Sequence, residues 1–136
     1  MHGMGVTLCY HNHQIEFRRL GAGLVLEELF SRTDDRYVQA ELDTHWVQVG
    51  GGNPSDWCRR MSGRLPLLHL KDYAIDAGNK VVFAEVGHGN LDWPRIVAAA
   101  DAAGCKWFIV EQDTCPGDPF DPLAKSFRYI RDRLAT

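Results

Sequence analysis

The feature that most constrains the fold is a fourfold alternation of short apolar runs with stretches of helical character. The apolar runs, which we predict to be strands, are Val6–His11, Tyr37–Asp43, Leu65–Lys71 and Trp107–Gln112. Each is followed by a segment with apolar residues at helical spacing or with a helix-capping signal. Strands that alternate with helices are typical of a parallel sheet covered by helices. The sequence therefore predicts an α/β fold built from about four βα units.

Capping residues and proline set the expected bounds of the helices. Asn and Asp accept hydrogen bonds from the first free N–H groups of a helix, and proline is tolerated in its first turn. The predicted helices are Leu24–Phe30, a segment from Asn53 to about Gly63, Trp93–Ala103 capped by Asp92, and a segment capped by Asp121 that reaches about Leu134. The last one carries an apolar stripe of Leu123, Phe127, Ile130 and Leu134. The segments Val49–Gly52 and Ala74–Lys80 are predicted loops.

Composition excludes several classes of protein. The chain has 136 residues, of which 45% are hydrophobic, and its formal net charge is −3, as expected of one globular domain spanning residues 1–136. It has no basic stripe interleaved with aromatic residues, which argues against nucleic-acid binding. No apolar run approaches the roughly 18–20 residues needed to cross a membrane. A secretory signal pattern is absent, and the four cysteines form no Cys-x-x-Cys pair, so we expect free thiols in the reducing cytoplasm.

Strand alternation collects ionisable side chains on one face of the predicted sheet. Side chains point to opposite faces in turn along a strand, so residues two apart share a face. At the carboxyl ends of the four strands the shared face carries His11, His13, Asp43, His45, His69, Lys71, Glu111 and Asp113. Parallel strands bring these ends to one rim, where α/β proteins hold their functional sites.

The types of residue at this rim indicate a metal site or a polar substrate site. Histidine nitrogens with carboxylate oxygens form a donor set suited to Mn²⁺, Mg²⁺, Co²⁺ or Zn²⁺. Taken singly, a histidine at a strand end is usually a hydrogen-bonded structural residue, and an aspartate there often caps a helix. Recurrence at the same place in four strands favours a site.

Five motifs in this order resemble the sugar phosphate isomerase/epimerase family, the xylose-isomerase-like group of divalent-metal TIM barrels. The motifs are Tyr10–Phe17 (YHNHQIEF), Glu41–Trp46 (ELDTHW), Leu68–Asp72 (LHLKD), Glu85–Gly89 (EVGHG) followed by Asp92, and Val110–Asp113 (VEQD). The resemblance covers nearly the whole chain. It implies the C-terminal half of a TIM barrel, because a complete barrel has eight βα units and this chain has four.

The same resemblance implies one divalent ion held by Glu, Asp, His and Glu. Asp43, His69 and Glu111 match the last three ligands. The first ligand stays open: family members have Glu in a Glu-Asn-His motif, whereas this chain reads His11-Asn12-His13, so either Glu16 or His11 can supply it. His88 stands where relatives have an acidic or amide residue.

The resemblance also implies roles in proton transfer next to the carbonyl of a sugar. Glu111 is both ligand and candidate base, and Lys71 or His13 can stabilise the enediolate oxygen. His11, His45, Trp46 and His88 are the candidate substrate contacts, although Trp46 can equally be an aromatic plug over the rim.

Three functions follow as alternatives. The first is a metal-dependent isomerase or epimerase acting on a sugar or sugar phosphate. The second is a lyase, dehydratase or hydrolase of a keto-sugar or oxidised glycoside, because proton abstraction next to a carbonyl also starts β-elimination. The third is a non-catalytic half-barrel. A half-barrel has open sheet edges, so we expect a homo-oligomer or docking on an N-terminal half.

Overall fold

The computed structural model describes residues 5–135, which contain eight strands and five α-helices. The strands are β1 (Leu8–His11), β2 (Arg19–Leu20), β3 (Gly23–Leu24), β4 (Val38–Asp43), β5 (Leu67–Leu70), β6 (Asp72–Ile75), β7 (Val81–Ala84) and β8 (Trp107–Val110). The helices are α1 (Val25–Ser31), α2 (Thr44–Val49), α3 (Pro54–Arg60), α4 (Trp93–Ala102) and α5 (Phe120–Arg133). A short 3-10 helix, Gln14–Phe17, follows β1.

The centre of the fold is a parallel four-stranded sheet in the order β1-β4-β5-β8. All three neighbouring pairs are parallel, and their register places His11 beside Glu41 and Asp43 beside His69. The four strands are those expected from the sequence, and each ends within two residues of its predicted bounds. The α/β prediction is therefore confirmed: this is four βα units of a partial TIM barrel.

One face of the sheet packs under the helices and forms the core. Ala40 and Leu42 of β4 and Leu68 and Leu70 of β5 are fully buried there, against helix residues that include Leu26, Trp57, Trp93 and Ile96. Strand alternation along the predicted run Leu65–Lys71 places Leu65 on the open face with Leu67, but Leu65 is 2% exposed and belongs to the core. The reason is that β5 begins only at Leu67, so strand alternation does not extend back to Leu65.

Most of the predicted helix signals are found in the structure. The Asn53 side chain accepts hydrogen bonds from the backbone N–H groups of Ser55 and Asp56, and Asp92 accepts one from Arg95. The prediction for the start of α5 was wrong by two residues, because the N-cap is Pro119 and not Asp121, and Asp121 lies inside the first turn. Asp118, which precedes the N-cap, accepts the N–H of Phe120 through its Oδ1 at 2.9 Å.

Two of the elements that were not predicted bear on the site. The segment Ala74–Lys80, expected to be a loop, contributes to an antiparallel hairpin of β6 and β7 whose turn includes Asn79 with a φ of 61°. Helix α2 starts directly after β4, because Asp43 Oδ1 accepts the backbone N–H of Trp46 at 3.1 Å. Both elements lie next to the rim where the ionisable side chains meet.

The Gly87–Gly89 segment is a tight turn built around the buried carboxylate of Asp72. That carboxylate accepts hydrogen bonds from the backbone N–H of Gly87 at 2.9 Å and of Gly89 at 3.1 Å. A Cβ at position 89 would lie 2.4 Å from Asp72 Oδ1, so only glycine fits there. Gly89 is thus explained by its close approach to Asp72, whereas Gly87 has a φ of 85° and lies against the ring of Tyr129.

Among the helices of residues 5–135, none combines the length and the apolar character that a membrane span requires.

Candidate metal centre

Four side chains from the carboxyl ends of four parallel strands meet at one point. They are His11 at the end of β1, Asp43 at the end of β4, His69 on β5 and Glu111 directly after β8. Each offers one donor atom, and these atoms all lie within 4.8 Å of one another. The parallel register causes this meeting, because it sets the ends of the four strands side by side.

The contacts within the group are close. His11 Nε2 lies 3.2 Å from Asp43 Oδ2, and His69 Nδ1 lies 4.0 Å from the same oxygen. His69 Nδ1 also contacts Glu111 Oε2 directly. Two imidazole nitrogens and two carboxylate oxygens at this spacing are a donor set that fits a divalent transition metal ion. The residues present therefore fit the ion that the sequence predicts.

Asp43 is held in place by the backbone around it. Its side chain is fully buried, and its two oxygens have different partners: Oδ1 caps α2, while Oδ2 faces His11. The backbone N–H of Asp43 donates to the side-chain oxygen of the buried Asn12 at 3.1 Å. An aspartate after a strand can cap a helix or contribute to a site at the rim, and Asp43 does both.

Of the two candidates for the first ligand, the structure brings His11 to the group and leaves Glu16 outside it. The two oxygens of Glu16 accept hydrogen bonds from the Tyr10 hydroxyl at 2.9 Å and from the backbone N–H of His13 at 2.7 Å. The carboxylate of Glu16 is therefore engaged at the start of the 3-10 helix after β1, where it accepts the backbone N–H of the N-cap residue His13.

Lys71 lies against the group with its side chain only 1% exposed. Its Nζ is 2.6 Å from Asp113 Oδ1, 3.5 Å from Glu111 Oε1 and 3.6 Å from Asp43 Oδ2. The same ammonium lies 5.0 Å from the ring centre of Trp46 and 5.2 Å from that of Phe83. A buried cation among carboxylates and aromatic faces matches the position that we expected of Lys71.

The electrostatics favour the charged form of the Glu111 carboxylate. Burial raises the pKa of Glu111, but the hydrogen bond from His69 and the charge of Lys71 together hold that pKa below its ordinary value. The hydrogen bond to Asp43 raises the pKa of His11. Glu111 is therefore ionised near neutral pH, as a ligand or a base must be.

An aromatic cavity of about 510 Å³ is lined in part by His45, Trp46, Phe83 and Pro116, and the rings of Trp46 and Phe83 also lie close to the Lys71 ammonium. The Nδ1–H of the buried His45 donates to the backbone carbonyl of Asp72 at 3.0 Å, and burial lowers the pKa of His45. His45 is therefore neutral, with Nε2 as an acceptor. Among the described residues, the indole Nε1 of Trp46 is a buried donor without a hydrogen-bond partner.

The other predicted residues divide between the site and the outer surface. His13 is exposed, but its ring centre lies 4.9 Å from that of His11 and 5.6 Å from that of Trp46. His88 is exposed beside Tyr129 of α5 and is not one of the four grouped residues.

Two residues at the site were missed from the sequence. Glu41 Oε1 lies 2.7 Å from His69 Nε2, and Phe83 reaches Lys71 from the hairpin that we did not predict. Glu41 shares a strand face with Asp43, which was the available signal for it. No comparable signal existed for Phe83, because its position depends on the β6–β7 pairing.

Comparisons with known proteins agree with this architecture. Residues 2–133 match the family model described as "Xylose isomerase-like TIM barrel". The inosose dehydratases of Geobacillus thermodenitrificans and Clostridium beijerinckii are 30% and 27% identical and match 94% and 95% of this chain. In each case the chain spans about half of the relative, 48% of its length.

Two solved structures of sugar phosphate isomerase/epimerases from Parabacteroides distasonis superpose with TM-scores of 0.76 and 0.75, at 29% and 23% identity. They cover 97% and 93% of this chain, which in turn covers 47% and 45% of theirs. The fold, the strand-end site and the match over residues 2–133 lead to one conclusion. The chain belongs to the xylose isomerase-like TIM barrel family.

Proposed function

We propose that this chain supplies the metal-binding half of an enzyme that moves a proton next to the carbonyl of a sugar or sugar phosphate, as an isomerase or epimerase. The observation that carries the proposal is the meeting of His11, Asp43, His69 and Glu111, with the Lys71 ammonium 3.5 Å from Glu111. It combines a donor set for one divalent ion, a carboxylate and a buried cation.

A divalent ion bound there supplies Lewis-acid polarisation of a carbonyl and its neighbouring hydroxyl. Glu111 is 34% exposed, the most accessible of the grouped side chains, and its ionised carboxylate can take the proton from the adjacent carbon and return it. The Lys71 ammonium can stabilise the negative charge that develops on the oxygen. His13, at the exposed edge of the group, is the second candidate for this contact.

The aromatic cavity gives the substrate a place beside these groups. The ring of His45 lines this cavity, and its Nε2 can accept a hydrogen bond from a sugar hydroxyl. The rings of Trp46 and Phe83 offer apolar faces for the C–H face of a sugar ring. His88 lies beside α5, so a contact with substrate from His88 needs a longer substrate or a different loop position.

The test is proton exchange with solvent. The protein, completed to a full barrel and supplied with Mn²⁺, is incubated with a panel of keto-sugars and their phosphates in D₂O. We expect deuterium at the carbon next to the carbonyl, and we expect Glu111→Gln to abolish it. The absence of exchange across the panel with metal bound contradicts the proposal.

A dehydratase is the second candidate, because curated relatives with this name are up to 30% identical to the chain. The same proton abstraction then leads to loss of the β-hydroxyl as water. Mass spectrometry of the products distinguishes the two reactions. The product of an isomerase or epimerase has the same elemental composition as the substrate, except for any hydrogen exchanged for deuterium, whereas the product of a dehydratase has lost one water.

A further inference from the structure

One of the two histidines of the candidate metal centre, His69, has a carboxylate on each side of its ring. His69 Nδ1 contacts Glu111 inside the group, while His69 Nε2 lies 2.7 Å from Glu41 Oε1 on the opposite side of the ring. His69 is 13% exposed and Glu41 is 20% exposed, so water competes little for this hydrogen bond.

Strand β4 places Glu41 and Asp43 on one face, two residues apart, and both face His69 on the neighbouring strand. In the parallel register Asp43 lies opposite His69, while Glu41 lies opposite Leu67, two residues further from the rim. Asp43 thus approaches one nitrogen of the imidazole and Glu41 the other. The position of Glu41 is fixed by the sheet, not by a loop.

We infer that Glu41 is a positioning residue, which accepts the Nε2–H of His69 and so keeps Nδ1 turned toward Asp43 and Glu111. A histidine that binds a metal through one nitrogen usually donates its other N–H to such a partner, which fixes the ring and raises its basicity. The inference rests on the proposed function, since it assigns to Glu41 a role in binding the divalent ion. The carboxylate of Glu41 accepts this hydrogen bond from His69 Nε2 through its Oε1.

Two readouts test the inference. The first is the dissociation constant of Co²⁺ from the chain, measured by calorimetry together with the visible absorption of the bound ion. Removal of such an outer partner typically costs about 10–100-fold in metal affinity, which we expect for Glu41→Ala. Glu41→Gln keeps an acceptor oxygen, so we expect an intermediate loss and partial recovery of the absorption spectrum.

The second readout needs no metal. In the metal-free chain the Nε2 proton of His69 is held by Glu41, so we expect a slowly exchanging ¹H–¹⁵N signal that disappears in Glu41→Ala. The signal is assigned by its absence in His69→Ala. Glu85→Gln is the matched control: it removes one carboxylate that pairs with Lys125, away from the group, and we expect it to change neither readout.

The two readouts separate this inference from the proposed function. If the unaltered chain binds no divalent ion, the proposed metal site is wrong, and the proton signal still decides whether Glu41 holds His69. If Glu41→Ala retains the proton signal, or binds Co²⁺ within twofold of the unaltered chain with the same spectrum, the positioning role of Glu41 is overturned.

Discussion

The carboxylate of Asp72 accepts a hydrogen bond of 2.6 Å from the indole Nε1–H of Trp93, 21 residues further along the chain. Asp72 is fully buried and also accepts the backbone N–H groups of Gly87 and Gly89. One side chain therefore joins the start of the β6–β7 hairpin to the turn before α4. Because Lys71 is its neighbour in sequence, this anchor also fixes the backbone from which Lys71 reaches the site.

We expect Asp72→Ala to lower the free energy of unfolding by about 3 kcal/mol or more. The substitution removes the acceptor of the Trp93 indole and of four backbone N–H groups, those of Tyr73, Gly87, Gly89 and Leu91. Hydrogen bonds to a charged group are worth about 1.5–3 kcal/mol each. Urea unfolding followed by tryptophan fluorescence measures the change. Asp132→Ala, at an exposed carboxylate of α5, is the control and should stay within about 0.5 kcal/mol of the parent. Equal losses for both variants would contradict this role of Asp72.

The sequence predicted the four central strands because each is a short apolar run that ends in polar residues on one face. It did not predict β6 and β7, since the polar turn between Asp76 and Lys80 dominates that segment and the pairing of the two strands is not local. Helix α2 was missed for a similar reason: the glycines after Val49 suggested a loop, whereas the start of α2 depends on Asp43 turning one oxygen back to the chain.

Strand alternation collected all four residues of the candidate metal centre, but it could not choose among the eight ionisable side chains at the rim. Glu16 was a candidate ligand because a carboxylate was expected there. In the structure the Glu16 carboxylate accepts hydrogen bonds from the Tyr10 hydroxyl and from the backbone N–H of His13, so it does not join the group as His11 does. Neither hydrogen bond can be read from the residue pattern. Glu41 escaped notice because its role depends on the register between β4 and β5.

The first ligand can be decided by two substitutions. We expect His11→Ala to weaken the binding of Mn²⁺ or Co²⁺ at least tenfold, because it removes one of four donor atoms that lie within 4.8 Å of one another. Glu16→Gln should leave the affinity within about threefold, since its carboxylate is already used by Tyr10 and His13. Calorimetric titration measures both. The reverse order of effects would make Glu16 the ligand.

Replacement of Lys71 should separate turnover from metal binding. We expect Lys71→Met to reduce turnover in the complete barrel strongly while the metal affinity is kept or increased. The reason is that its ammonium lies only 3.6 Å from Asp43 and 3.5 Å from Glu111. Without this ammonium, the two carboxylates no longer share their negative charge between Lys71 and the metal ion. Turnover is compared with the Co²⁺ dissociation constant of the same variant. An unchanged turnover rate would show that Lys71 has only a structural role.

Thiol reactivity should follow burial. Desolvation raises the pKa of the Cys58 thiol to about 12, and Cys58 is fully buried, so almost none of it is thiolate at pH 8. Cys115 is only partly buried. We expect an aromatic disulfide reagent at pH 8 to label Cys115 in the folded chain and Cys58 only in urea, with labelled sites identified by mass spectrometry. Rapid labelling of Cys58 in the folded chain would contradict its burial.

The inner face and edges of the sheet predict association. Within residues 5–135 no strand pairs with the outer edge of β1 or of β8, and unpaired strand edges invite pairing. On β8, Trp107 and Ile109 are 68% and 40% exposed. The apolar stripe expected on α5 is also only half used: Ile130 and Leu134 pack on the core, while Leu123 and Phe127 are exposed.

We therefore expect residues 1–136 to self-associate, or to bind a second four-stranded half, and to show weak or no turnover alone. Covering apolar surface contributes about 25 cal/mol per Å², and a complete barrel leaves no open edge. Sedimentation velocity at micromolar concentration measures the state of the chain. Trp107→Glu places a charge on the exposed inner face and should shift the chain toward monomer, whereas Ile15→Glu, in the 3-10 helix after β1, should not. A well-folded monomer with full turnover would contradict this expectation, because neither association nor a second half would then be required for activity.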